Sequence, residues 1–339
     1  MPRMSDPFSR GRAGTQRLEY SGVWIRSAVG PARGDGYASV RVPERKAEPV
    51  RTAPAAQQLQ QNTRALVNRW YDHRMYATWA EERYAGSDFH NFGYWTPNTR
   101  NQKEACENLM EVLLAFISQK TGTILDVACG KGATTRHLLN YYAPPAVTGI
   151  NISEKQLRSC RMNVPRCNFF LMSGTDLGFR DSSFDNMICV EAAHHFVTRE
   201  KFLREAYRVL KPEGRLALSD IVPAAPRVSP GPAAPLKRIG PRGYRDTTSA
   251  NPYGTSPGFQ RMIPPEEYRD LYLNAGFERV EIIDACDECN TGSRRHSLRL
   301  LRDRLRRAEI DFVTFRQRRA QILRKERNGG YYLLVCAQK

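Results

Sequence analysis

Two adjacent histidines follow an apolar run and have the chemistry to move a proton. His194 and His195 come after the predicted strand 186–190, and Asp220 ends the next predicted strand. The pKa of histidine, ordinarily about 6.5, suits a base near neutral pH, and a carboxylate can hold an imidazole in one tautomer. Glu191 stands at the same strand end. Because strand ends line the ligand crevice of doubly wound sheets, the pattern predicts an acid–base site there.

A glycine turn between a strand and a helix predicts a second binding feature. The apolar run Ile124 to Ala128 predicts a buried strand, the chain breaks at Gly130 and Gly132, and a helical pattern resumes at Ala133. This layout presents free backbone N–H groups to an anion at a helix N-terminus. Glycines let a ligand approach the backbone closely. Asp126 lies just before the turn, where it can meet a cationic or hydroxyl-bearing ligand.

The next apolar run disfavours a nicotinamide cofactor. It extends from Ala146 to Ile150 and ends at Asn151. In the first βαβ unit of a doubly wound fold, the residue at this point reaches a ribose, and nicotinamide-binding proteins place Asp or Glu there. The first loop also has the form Ala-x-Gly-x-Gly, from Ala128 to Gly132, and not Gly-x-Gly-x-x-Gly.

Together with Asp176–Asp185 and Leu210–Leu216, these motifs resemble those of the class I S-adenosylmethionine-dependent methyltransferases, across residues 90–285. The resemblance implies S-adenosyl-L-methionine as the cofactor. It also implies an α/β fold with a Rossmann-like, doubly wound, mostly parallel seven-stranded sheet. An N-terminal helical lid and a long helical insertion before the last strand complete the predicted fold. The predicted strands are 123–128, 146–150, 167–172, 186–190, 214–220, 277–283 and 331–337, and the main predicted helices are 101–118, 131–141, 153–163, 199–210, 264–275 and 293–325.

The resemblance also assigns cofactor contacts to this chain. They are Tyr94, Asp126, Ala128, Gly130, Gly132, Asn151, Ile152, Gln156, Ser173, Gly174, Thr175 and Glu191. Gln156 has an equal alternative, because it stands where it would complete a capping box with Ser153. Ser173 stands where the family commonly has an acid that bonds the adenine amino group. More of the adenine recognition is therefore assigned to the backbone near Gly174 and Thr175.

The aromatic segment from Asp88 to Trp95 precedes the predicted helix 101–118. It is similar to the N-terminal lid of methyltransferases that act on small molecules. By that similarity Tyr94 faces the methionine end of the cofactor. The alternative for Tyr94 and Trp95 is ordinary core packing.

The spacing Glu-x-x-x-His, and the Asp-Ile pair after the fifth strand, are similar to those of natural-product O-methyltransferases of sugars and polyketides. By that match His195 is the base, His194 its neighbour and Asp220 the partner; the alternative is that the histidines only shape the site. C-methyltransferases of sterols and tocopherols keep an acid at the position of Glu191, which leaves methylation of a prenyl or sterol-like carbon open. The sequence thus predicts methyl transfer to a hydroxyl, or an activated carbon, of a small lipophilic or aromatic secondary metabolite.

The net charge of +17 is concentrated in two segments. Residues 1–60 hold ten basic and five acidic residues (+5), and residues 294–327 hold thirteen basic and four acidic residues (+9). An RNA methyltransferase that binds phosphates through these segments is therefore an alternative, although no RNA-binding module is recognisable. The predicted organisation is a disordered or loosely docked basic tail (1–60), a helical lid (61–120) and a methyltransferase domain (121–339) with a Pro/Gly-rich insertion (222–260) and a basic amphipathic helix (293–325).

The apolar stripe of helix 293–325 has three interpretations. It can cap its own domain, form the seam of a homodimer or higher oligomer, or leave a basic face for an anionic partner. The eight cysteines are scattered, and the close pair Cys286 and Cys289 lacks nearby histidines, so no metal is predicted. Without a secretory signal or a run of 18 apolar residues, we expect a cytoplasmic protein with free thiols and no membrane span. The intact glycines and histidines disfavour a catalytically silent scaffold.

Overall fold

The computed structural model describes residues 54–223, 265–327 and 330–339. Most of the predicted basic tail and nearly all of the predicted Pro/Gly-rich insertion lie outside these residues. The first helix begins at Pro54, so the last seven residues assigned to the tail by sequence belong to this helix.

Seven strands form a single sheet in the order β3-β2-β1-β4-β5-β7-β6. They are β1 Ile124–Val127, β2 Val147–Asn151, β3 Asn168–Leu171, β4 Phe184–Val190, β5 Leu210–Pro223, β6 Arg279–Asp284 and β7 Gly330–Gln338. β7 runs antiparallel to both β5 and β6, and the other pairs are parallel. The predicted mostly parallel, doubly wound sheet is confirmed. Its strand order reverses between β1 and β4, which is where such sheets bind ligands.

Nine α-helices surround the sheet within the described residues. They are α1 Pro54–Arg74, α2 Thr78–Arg83, α3 Gln102–Ala115, α4 Ala133–Leu138, α5 Glu154–Asn163, α6 Arg199–Val209, α7 Pro265–Ala275, α8 Gly292–Arg306 and α9 Phe312–Arg327. Asn101 and Ser153 cap α3 and α5 by accepting backbone N–H bonds from Glu104 and Gln156. Among the described helices, none has the length and apolar character to cross a bilayer.

The core lies on both faces of the sheet. Leu125 and Val127 of β1 pack on one side with Phe202 of α6, while Ile124 packs on the other with Leu109 of α3. All four residues of β1 are buried, as expected for a parallel strand that is covered by helices on both sides. This packing fixes the carboxyl ends of β1, β2 and β4, from which the site is built.

The prediction of one continuous helix over 293–325 is wrong, because two helices, α8 and α9, occupy this segment. Ala308 takes a left-handed conformation (φ 55°) and ends the first helical run. Asp311 then caps the second helix by accepting a 2.6 Å bond from the backbone N–H of Thr314. The apolar stripe is broken accordingly: Leu301 is buried, whereas Phe312 is 61% exposed.

Candidate functional site

A cleft opens at the carboxyl ends of β1, β2 and β4 and is covered by α1. Its volume is about 1100 Å³, including the part that is open to solvent. Of the predicted site residues, ten line it: Ala128, Gly130, Asn151, Ile152, Gln156, Ser173, Gly174, Thr175, Glu191 and His195. Five others are not part of its lining: Tyr94, Asp126, Gly132, His194 and Asp220.

The glycine turn forms the floor of the cleft beneath α1. Ala128, Gly130 and Gly132 have positive φ angles of 62°, 57° and 93°. A Cβ added at Gly130 would lie 3.0 Å from the methyl carbon of Met75, the residue directly after α1. The bare backbone at Gly130 therefore leaves the narrow space that a ligand needs between the turn and the helix.

Asp126 supports the turn from below the cleft. Its buried carboxylate accepts hydroxyl bonds of 2.7 Å from both Thr134 and Thr135 at the start of α4. Burial raises the pKa of Asp126 to about 6, although the two threonine bonds oppose this shift. The geometry gives Asp126 a role in positioning α4, and the direct ligand contact expected from the sequence is absent from the cleft lining.

Asn151 links the glycine turn to α5. Its amide nitrogen donates to the carbonyl oxygen of Gly130 (3.2 Å) and to Gln156 Oε1 (3.0 Å), and its oxygen accepts from the backbone N–H of Ser153. Gln156 also donates to Asp72 of α1 (2.8 Å). The Gln156 side chain therefore joins Asn151 to α1 in the wall of the cleft, and its backbone N–H donates to the Ser153 cap.

His195 faces the lid helix at the β4 end of the cleft. Its Nε2 lies 2.6 Å from the hydroxyl oxygen of Tyr71, which is 124 residues away in the chain. Burial, and secondarily the neighbouring His194, lower the pKa of His195 well below its usual value. His195 is therefore neutral near physiological pH. Its Nδ1 is buried and has no hydrogen-bond partner among the described residues.

Asp220 contacts His194 and not His195, which corrects the pairing predicted from the sequence. Its Oδ1 lies 3.3 Å from His194 Nδ1, and its Oδ2 accepts bonds from Arg199 Nε (2.6 Å) and the Tyr268 hydroxyl (2.8 Å). Burial opposes the ionisation of Asp220, but the charge of Arg199 and the bond from His194 outweigh it and lower the pKa of Asp220. The physical reason for the pairing is Arg199, which neutralises this buried carboxylate beneath the cleft.

Glu191 brings a carboxylate to the same end of the cleft. One of its oxygens accepts a 2.6 Å bond from the backbone N–H of Phe92 and a 2.5 Å bond from the hydroxyl of Tyr332. Burial raises the pKa of Glu191 to about 7, although these two bonds lower it. Glu191 therefore gains or loses its proton near neutral pH.

Tyr94 packs in the core beside α3, so the predicted position of its ring at the cofactor does not match this structure. It is 8% exposed and belongs to the cluster that contains Leu109 and Leu113. The aromatic segment before α3 enters the cleft earlier in the chain, through Asp88, Phe89, His90 and Asn91. The backbone N–H of Tyr94 bonds to the carbonyl of Ala105, which holds the tyrosine on the helix side.

Three residues of α1 were not singled out as site residues from the sequence. Tyr71 and Asn68 line the cleft, and Asp72 accepts hydroxyl and amide bonds from Ser153 (2.6 Å) and Gln156. The available signal was weak: Asn68 and Asp72 are polar residues within one turn of an apolar helix face that includes Tyr71. Nothing in the sequence specifies which strand end this face covers.

The described residues contain no cluster of three or more side chains suited to hold a metal ion. All eight cysteines are described and none forms a disulfide. Cys129 and Cys160 lie close together beneath the glycine turn, with their sulfur atoms 3.8 Å apart.

The sequence is similar to those of known methyltransferases. Residues 125–218 match the family model described as a methyltransferase domain. The chain is 32% identical to erythromycin 3''-O-methyltransferase of Saccharopolyspora erythraea over 199 residues, which make up 57% of this chain and 62% of that protein. It is 28% identical to O-methyltransferase resE of Aspergillus sclerotiorum over 240 residues, or 67% and 81% of the two chains. The chain thus spans less than two thirds of the erythromycin enzyme's length.

A solved structure shares the fold at low sequence identity. It is the geranyl diphosphate C-methyltransferase from Streptomyces coelicolor A3(2) in complex with Mg²⁺, geranyl diphosphate and S-adenosyl-L-homocysteine. The similarity covers 86% of this chain and 99% of that one, with a TM-score of 0.56 and 14% identity. At this identity the comparison bears on the fold alone.

Proposed function

We propose that this chain is a class I S-adenosylmethionine-dependent methyltransferase and that it transfers a methyl group to a hydroxyl of a small lipophilic or aromatic metabolite. The observation that carries this proposal is that one cleft contains both the glycine turn and His195. The names of both curated relatives specify O-methylation, and one specifies erythromycin. The apolar residues Val190, Phe196 and Val197 at the β4 end suit a lipophilic acceptor.

When bound, S-adenosylmethionine supplies an electrophilic methyl carbon on a sulfonium. The residues of this chain then have to hold the acceptor oxygen in line with that carbon and exclude water. The bare turn at Gly130 and the cover provided by Met75 suit the first half of the cleft for the cofactor. Helix α1 closes both halves, because Asn68 contacts Ile152 and Tyr71 contacts His195.

His195 is the proposed base for the acceptor hydroxyl. In the proposed tautomer, Nε2 donates its proton to the Tyr71 oxygen, and Nδ1 keeps the lone pair that can accept a proton. The lowered pKa keeps this lone pair available at neutral pH. Tyr71 is then a positioning residue that selects the tautomer, a role that the sequence assigned to Asp220.

C-methylation is the second candidate, and Glu191 is the observation that favours it. A partly ionised carboxylate at the acceptor end of the cleft can stabilise a carbocation or take a proton from carbon. The position of the transferred methyl group in the product distinguishes the two candidates.

The function is tested by incubating the protein with S-adenosylmethionine labelled in the methyl group and a metabolite extract of the host, followed by mass spectrometry. We expect a labelled small molecule with the methyl group on oxygen. The His195→Ala variant should turn over about 100-fold more slowly, while the dissociation constant for S-adenosylhomocysteine changes by less than about twofold.

The matched control for this variant is His73→Ala, on the exposed face of α1, which should behave like the wild type. Normal turnover by His195→Ala would contradict the base assignment. Calorimetry that detects no binding of S-adenosylhomocysteine to the folded wild type would contradict the proposed function itself.

A further inference from the structure

Asn68 holds an unpaired acceptor in the half of the cleft assigned to the cofactor. Its amide nitrogen donates a 2.9 Å bond to the backbone carbonyl of Ile152, directly after β2. Because a carbonyl can only accept, the amide nitrogen must face Ile152, and the amide oxygen must point elsewhere. That oxygen, Oδ1, is buried and has no partner among the described residues. Asn68 also lines the cleft.

An unpaired buried acceptor costs free energy, and native proteins generally satisfy such groups. The neighbouring acceptors on the same side of the cleft already have partners. The Asn151 oxygen accepts from the Ser153 N–H, Gln156 Oε1 accepts from Asn151, and the Ser173 and Thr175 hydroxyls bond each other at 3.0 Å. Of these described acceptors, the Asn68 oxygen is the one that accepts no hydrogen bond at all.

The adenosine part of S-adenosylmethionine brings hydrogen-bond donors to this region. They are the two ribose hydroxyls and the adenine amino group. The two positions where acids commonly accept these donors are Asn151 and Ser173 in this chain. Neither residue carries a carboxylate, and the lid helix brings the Asn68 amide to Ile152, next to Asn151.

We propose that Asn68 Oδ1 accepts a hydrogen bond from a ribose hydroxyl or the adenine amino group of the cofactor, so that the lid helix takes part in adenosine recognition. This inference rests on the proposed function, because it assumes that S-adenosylmethionine occupies the cleft. It assigns a binding role to a residue that lies outside the family motifs of the Rossmann-like core.

The test is calorimetry on wild-type protein and Asn68→Ala with four ligands. They are S-adenosylhomocysteine, its 2′-deoxy and 3′-deoxy analogues, and the analogue that has purine in place of adenine. Loss of one neutral hydrogen bond should weaken S-adenosylhomocysteine binding to the variant by about three- to tenfold. One of the three analogues lacks the hydroxyl or amino group that donates to Asn68. The wild type and Asn68→Ala should bind that analogue with equal affinity, and this result identifies the donor.

Arg69→Ala is the matched control, because Arg69 is the next residue of α1 and is exposed. Asn68→Leu, which keeps the side-chain volume, replaces the alanine variant if that protein is unstable. If the wild type binds S-adenosylhomocysteine and Asn68→Ala binds it equally well, the inference is overturned and the proposed function stands. A constant loss across all four ligands also overturns it, since the variant would then only loosen the lid. Failure of the wild type to bind any of them overturns the proposed function.

Discussion

Two titratable side chains at the acceptor end of the cleft are shifted by burial in ways that suit different tasks. Burial lowers the pKa of His195, which leaves a neutral imidazole, and raises the pKa of Glu191 to about 7. Opposite pKa shifts of this kind separate the acid and base roles of neighbouring groups. Both side chains are held by phenols from distant parts of the chain, His195 by Tyr71 and Glu191 by Tyr332.

The raised pKa of Glu191 makes folding stability depend on pH. Its folded value of about 7 lies above the ordinary value of 4.5, so the protonated form stabilises the folded state. This contribution is complete below about pH 4.5 and is lost as the pH rises through 7. The free energy of unfolding of the wild type, minus that of Glu191→Gln, should therefore fall by roughly 2 kcal/mol between pH 5 and 7.5, at up to about 1.4 kcal/mol per pH unit.

Urea denaturation of both proteins at several pH values measures this difference. Asp126, which also titrates near pH 6, is present in both proteins and cancels from the comparison. Parallel stability curves for the two proteins would show that Glu191 does not have its raised pKa.

At the scale of elements, α1 decides the shape of the cleft. Asn68 and Asp72 lie four residues apart on α1 and reach the end of β2 and the start of α5, through Ile152, Ser153 and Gln156. Tyr76, just after α1, reaches Lys155 and Ser159 of α5. Tyr71 and Met75 of the same region cover His195 and Gly130. These contacts hold α1 and the turn after it over the cleft.

Asp72→Ala should loosen this lid. The substitution removes the acceptor of the bonds from the Ser153 hydroxyl (2.6 Å) and the Gln156 amide (2.8 Å). Two lost bonds, of about 1 kcal/mol each, together about 2 kcal/mol, should speed hydrogen exchange in residues 61–76 by about 30-fold. S-adenosylhomocysteine should also dissociate faster by a similar factor. Mass spectrometry measures the hydrogen-exchange rate, and stopped-flow fluorescence measures the rate at which S-adenosylhomocysteine is released. The control is Arg69→Ala, which should exchange like the wild type. Unchanged rates in Asp72→Ala would mean that other contacts hold α1.

Local sequence was sufficient to predict the sheet and the glycine turn. The run from Ile124 to Ala128 and the turn at Gly130 depend on neighbours along the chain, so their pattern specifies their structure. The contacts of α1 join residues 84 and 124 positions apart, as for Asn68 with Ile152 and Tyr71 with His195. Spacing carries no information about such pairs, because they depend on how the lid packs on the finished sheet.

Two other differences from the sequence-based prediction have competing local causes. The apolar stripe predicted one helix over 293–325. The local cap at Asp311 instead starts a second helix, so the capping signal overrides the apolar periodicity. Asp220 was expected to orient His195 because both lie at strand ends. Arg199, on α6, instead holds the carboxylate below the cleft, where it reaches His194.

At the scale of the whole molecule, the basic C-terminal helices lie apart from the chemistry. The described residues that line the cleft fall between Thr63 and Val197, and none belongs to α8 or α9. The start of α8 is attached to the lid instead, because Arg83 of α2 donates to the hydroxyls of Ser297 (2.6 Å) and Ser293 (2.8 Å). Residues 294–327 carry +9, and most residues between 312 and 323 of α9 are exposed.

This separation predicts that the charge of α9 can be changed without changing methyl transfer to a small acceptor. Replacing the exposed Arg316, Arg318 and Arg319 by glutamine should leave turnover and cofactor affinity within about twofold of the wild type. Binding to mixed-sequence RNA, followed by fluorescence anisotropy, should weaken, and its dependence on log salt should decrease by up to about 2, as for three lost phosphate contacts on a single strand. The matched control replaces the same arginines by lysine and keeps the charge. The contrary outcome is transfer of label from S-adenosylmethionine to RNA, by a reaction that the glutamine variant loses and the lysine variant keeps. The acceptor would then be nucleic acid, and the small-molecule assignment would be wrong.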